Sequence, residues 1–137
     1  MLRLGRPLTL PGSWPTAGWF RALAVVFSVA GVFHLACTVA PSLAGGDPPW
    51  RHGLFVAVNA AVALGLLLRP RWFPWIFAVL CMQQAVSHGS AAATAWRVEH
   101  RVDKASVLVL CGLPIVLASL VWDARRRPRR ESLPFRG

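Results

Sequence analysis

The chain has 137 residues, 55% of them hydrophobic, with 15 Lys+Arg against 5 Asp+Glu and a formal net charge of +10. Only 15% of the residues are charged, where a soluble domain carries about 25%. Long uncharged apolar runs of this kind read as membrane spans, which argues against a soluble enzyme and against reading the basic charge as a nucleic-acid surface. There is room for one compact domain.

In chain order, residues 1–17 read as a cytoplasmic arm, punctuated by Pro7, Pro11 and Pro15. A span needs about 20 mostly apolar residues, and four segments qualify within a membrane domain of residues 18–123. The first covers about 22–40, between Arg21 and Pro41. Its basic start and the small residues Ser42-Leu43-Ala44 imitate a signal peptide. The run is long for that and is interrupted by His34 and Cys37, so it reads as a retained span. The second covers about 52–68 and stops at Arg69-Pro70. The third covers about 72–96 and meets no formal charge before Arg97, so it is tilted or extends outward. Pro74 falls in its first turn, where a missing N–H costs little. The fourth covers about 105–122, with Asp103 as its cap and Pro114 predicting an internal kink. A basic tail, 124–137, follows.

Sorting the cations by side orients these spans. Arg3, Arg6, Arg21, Arg69, Arg71, Arg125, Arg126, Arg127, Arg129, Arg130 and Arg136 fall on one side. Arg51, Arg97, Arg101 and Lys104 fall on the other. The expected fold is therefore all-α, a four-helix transmembrane bundle with both termini in the cytoplasm, multi-pass in an inner (plasma) membrane. Trp19, Trp50, Trp72, Trp75, Trp96 and Trp122 lie near the helix ends, where amphipathic rings prefer to sit. Helices one and three both open on Trp-Phe (Trp19-Phe20, Trp72-Phe73) and carry a histidine about four turns later (His34, His88). Two hairpins related as a repeat would produce this pattern.

Polar groups inside a membrane are costly, so their depth is informative. His34 and Asn59 each lie about 10 Å below the outer ends of their helices at 1.5 Å per residue. Gln84 shares a helix face with His88, Gln83 sits on the neighbouring face, and Cys111 reaches a similar depth. These residues suggest an outward polar pocket above an apolar floor, with His34, Asn59, Gln83, Gln84 and His88 as its ligand-binding set. His52 and His100 read as interfacial side chains. The competing structural reading makes the polar layer a set of interhelical hydrogen bonds worth about 0.6 kcal/mol each.

Metal ligation is a further candidate, through His34, Cys37, His88 and Cys111. No close His-x₃-His or Cys-x₂-Cys pair occurs, and the three cysteines read as small buried hydrophobes. Asp47, Glu99, Asp103, Asp123 and Glu131 all fall in loops or at helix ends, which demotes ion-coupled transport. No Ser–His–acid set is suggested, so no catalytic activity of its own is expected. The basic tail reads as a topology signal at the lipid surface.

The stretches GVFHLACTVAP (Gly31–Pro41) and NAAVALGLLLRPRW (Asn59–Trp72) resemble the DoxX-like small four-helix bacterial membrane proteins. That resemblance implies a membrane subunit near quinone or thiol redox chemistry and transfers no catalytic residue. The leading expectation is a binding or accessory subunit in the lipid bilayer, with a membrane or periplasmic protein partner or a second copy of itself, and no nucleic acid. The alternatives are a quinone- or haem-linked redox subunit using His34 and His88, and a purely structural subunit.

Overall fold

A computed structural model describes residues 15–44 and 47–127. Most of the arm and the tail beyond Arg127 lie outside the described residues. The described chain is all-α: α1 is Ala17–Val39, α2 Pro49–Leu68, α3 Phe73–Arg97 and α4 Lys104–Arg126, with a short 3₁₀ turn at Pro41–Leu43 after α1. It divides between Leu67 and Leu68 into two compact units, the first carrying α1 and α2, the second α3 and α4.

Local chemistry sets each boundary. α1 starts five residues earlier than its apolar run because Thr16 caps it, accepting the Trp19 N–H at 3.2 Å. Pro49 opens α2, where its missing N–H has no intrahelical partner to lose. Arg69 then takes a left-handed φ of 48° and Pro70 blocks continuation. Pro74 sits in the first turn of α3, as its position predicts. Asp103 caps α4 by accepting from Ala105 N at 3.1 Å and Ser106 N at 3.2 Å. α4 runs through Pro114 and on past Trp122 to Arg126, whose guanidinium lies 4.7 Å from the Trp122 ring centre.

Three helices, α1, α2 and α4, are long and apolar enough to cross a membrane. Val25, Val26, Val29 and Val32 are each more than 60% exposed along α1, a surface that suits lipid and not water. The chain is a membrane protein. α3 has the length, at 25 residues, but Gln83, Gln84, Ser87, His88 and Ser90 make its second half more polar.

In the first unit α1 and α2 run antiparallel, pairing His34 with His52 and placing Gly31 against Asn59. In the second, α3 and α4 pair antiparallel along their length. Arg69 and Asp123 meet at one end, Cys81 reaches the Leu113 carbonyl at 3.8 Å midway, and His88 meets Ser106 at the other end.

The two hairpins repeat one burial pattern. Buried Phe20, Ala24 and Gly31 on α1 are matched 53 residues later by buried Phe73, Phe77 and Gln84 on α3. Buried His52, Val62, Gly65 and Leu66 on α2 are matched 54 residues later by buried Ser106, Val116, Ser119 and Leu120 on α4. The Trp-Phe and histidine spacing in the sequence thus belongs to a structural repeat, with one helix pair built twice.

Candidate functional site

Both hairpins tie their first helix to the opening turns of their second through a histidine, across the same separation of 18 residues. The second hairpin closes this link with its own atoms. His88 Nδ1 lies 3.0 Å from Ser106 Oγ, and the Ser106 hydroxyl donates to Asp103 Oδ2 at 2.6 Å. With its proton committed to the carboxylate, Ser106 accepts from the His88 Nδ1–H. Asp103 is held below the usual carboxylate range, first by the Ser106 hydroxyl and then by the Ser106 backbone N–H. The sequence shows no Ser–His–acid set, yet these three side chains meet. The serine stands between the other two and is 1% exposed, so the arrangement is a helix cap extended to α3 and not a nucleophilic triad.

The first hairpin solves the same problem differently. His34 Nδ1 lies 3.0 Å from His52 Nδ1, with ring centres 5.3 Å apart and planes inclined at 35°. One ring must carry the Nδ1 proton and the other must offer a bare Nδ1. Phe55 stacks on the His34 ring at 5.0 Å and 22°, and Phe33 meets it edge-on at 5.6 Å. The imidazole is therefore oriented before anything binds. His52, expected as an interfacial side chain, is instead buried at 7% exposure. Its Nε2 is a buried ring nitrogen with no hydrogen-bond partner among the described residues, where such atoms are ordinarily paired. This residue is the one that sequence reasoning missed. The signal available for it was the spacing shared with His88 and Ser106.

The remaining expected site residues divide between the units. Asn59, in the first, is buried, donates its amide to the Phe55 carbonyl at 2.8 Å and lies two turns below His52. In the second, Gln84 is buried and Gln83 is exposed on the adjacent face. An open concavity of about 300 Å³ is lined by Trp96, Arg97 and His100, not by these residues. His100 there holds a left-handed φ of 52°.

Of the metal candidates, Cys37 is fully buried with its thiol toward the Leu43 carbonyl at 3.6 Å. His88 is committed to Ser106. Cys111 is exposed and departs from the expectation of three buried cysteines, because it stands on a face of α4 turned away from the buried set Ser106, Val116, Ser119 and Leu120. No group of three or more His, Cys, Asp or Glu side chains able to share a metal occurs among the described residues. No family model, curated protein or solved structure matches the chain.

Proposed function

We propose that this chain is a four-span inner-membrane protein with both ends in the cytoplasm, acting by binding at the outward end of its first hairpin. The topology reading draws on the second hairpin. α3 lies antiparallel along α4, so a bilayer crossed by α4 is crossed by α3 as well. Four crossings also keep the eleven arginines on one side, as the positive-inside bias requires. Single cysteines in a background with Cys37, Cys81 and Cys111 replaced test this with a membrane-impermeant maleimide. Val102→Cys is expected to label in intact cells and Trp72→Cys only after permeabilisation. Labelling of both from the same side would remove the fourth span.

The observation that carries the binding role is the His52 Nε2, buried and without a partner beside a pre-oriented His34. Leaving such a group unsatisfied costs about 1–3 kcal/mol, and the second hairpin shows that the same helix pair can be joined without that cost. A small accessory subunit built this way recognises a ligand rather than transforming it, in keeping with the resemblance to DoxX-like proteins. Native mass spectrometry of the full chain, released from mild detergent, tests the role. The wild type and His88→Ala are expected to retain a bound mass that His52→Ser lacks. The same mass on all three, or on none, would end this reading.

A further inference from the structure

Resting on that binding role, we propose that His34 and His52 form a two-imidazole site for a borderline divalent transition-metal ion of the zinc class. The first argument comes from the internal repeat. If joining two helices were all that position 52 had to do, a hydroxyl would suffice, because Ser106 does it in the second hairpin with its hydrogen bonds satisfied. The first hairpin has a second imidazole there instead. The place corresponding to Asp103, 54 residues earlier, is Pro49, so no carboxylate closes the network. What the substitution adds is a second nitrogen donor, and neutral imidazole is the commonest metal ligand among side chains.

The second argument is geometric. The two Nδ1 atoms converge on each other at 3.0 Å. Two nitrogens bound at about 2.0–2.1 Å to a tetrahedral ion stand roughly 3.3–3.4 Å apart. Parting the rings by a few tenths of an ångström turns the hydrogen bond into a chelate. Phe55 and Phe33 already fix the His34 ring, so the ion finds one ligand in place. Water or another small exogenous ligand completes the coordination sphere, as at sites that keep open positions.

The protons balance. In the metal-free neutral pair one ring carries its proton on Nδ1 and the other on Nε2. Coordination through both Nδ1 lone pairs moves the first proton to Nε2 of the same ring, and none is released. Both Nε2–H groups then point away from the ion, the arrangement that outer acceptors orient in metal–histidine sites.

The test uses the full chain in detergent, purified without a polyhistidine tag and stripped with a chelator. Zn²⁺ titration by calorimetry, with Co²⁺ as a visible-absorption probe, is expected to show one ion per chain. His34→Ala and His52→Ser are each expected to weaken binding on the order of tenfold or more, and His88→Ala to leave it unchanged. Circular dichroism and gel filtration confirm that each variant is folded. His52→Ser carries the side chain that the repeat already accommodates at the matching place. No binding by the wild type, or equal binding by all variants, overturns the metal assignment. If an organic mass sensitive to His52→Ser is present without metal affinity, the metal site falls and the binding role stands. If neither appears, both fall.

Discussion

Replacing Asp123 by alanine is expected to destabilise the second hairpin by roughly 2–3 kcal/mol, toward the lower side of what breaking a buried ion pair costs. One carboxylate serves two cations: Oδ1 takes Arg69 at 3.3 Å and Oδ2 takes Arg127. The Asp123 side chain is 16% exposed, against 26% for Arg69 and 33% for Arg127, so water only partly replaces what is lost. The carboxylate also anchors backbone contacts between the α2–α3 turn and the end of α4. Arg127 Nη1 donates to the Arg69 carbonyl at 2.8 Å, and Arg71 Nη2 donates to the Arg127 carbonyl at 3.1 Å. Without Asp123 the guanidiniums of Arg69 and Arg127 face each other uncompensated, and the strained left-handed turn at Arg69 loses its reason to hold. Unfolding of the full chain in mixed micelles, followed by circular dichroism, measures the effect. Asp123→Asn is expected to lose about half as much, since its amide oxygen still accepts one hydrogen bond. Asp123→Ala combined with Arg127→Ala is expected to recover part of the loss. A stability for Asp123→Ala within about 0.5 kcal/mol of wild type would show that the clasp contributes nothing.

The membrane-crossing elements were legible because their causes are local. Arg69-Pro70 ends a helix wherever it stands, Pro74 fits only a first turn, and Asp103 followed by an apolar run announces a cap. The repeat was faintly legible in Trp-Phe and the following histidines, and its proof needed burial. Ala24 and Phe77 match in place but not in size, and no string comparison pairs Gly65 with Ser119. The site was the least legible part. His34 was selected for its depth, correctly for a residue that makes an interhelical contact. His52 was passed over because a histidine in the first turn of a span looks interfacial. Which side of a helix opening is buried depends on where the neighbouring helix runs, and that is a property of the hairpin as a whole. Ser106 and Asp103 show the same limit: each has a local role, and their joint network with His88 exists only once α3 and α4 are paired.

The comparison of the hairpins also separates scaffold from site. Phe20 and Phe73, Val62 and Val116, and Leu66 and Leu120 are alike in both position and kind, as packing demands. Divergence gathers at the end where the histidines sit: His52 against Ser106, Pro49 against Asp103. In a duplicated frame, conserved packing says what the frame needs, and the departures say what one copy does that the other does not. The second copy spends its polar groups on its own cap, and the first keeps a nitrogen in reserve.

That division makes Gly31 the lever on the site. A Cβ built there would lie 3.4 Å from the Asn59 Cβ, so alanine just fits and anything larger must push α1 away from α2. His34 is three residues further on the same face and moves with it. Gly31→Leu is therefore expected to destabilise the first hairpin by roughly 1–3 kcal/mol through overpacking, and to part His34 from His52 without altering either. Metal affinity and the bound mass should both fall to the level of His52→Ser. Gly31→Ala should keep both, because the helix propensity gained, about 1 kcal/mol, offsets the crowding. The matching position on α3, Gln84, carries a long side chain and is buried, so Gln84→Leu is expected to leave the metal affinity as it is. If Gly31→Leu binds as well as wild type, the close approach of α1 and α2 does not set the geometry of the histidine pair.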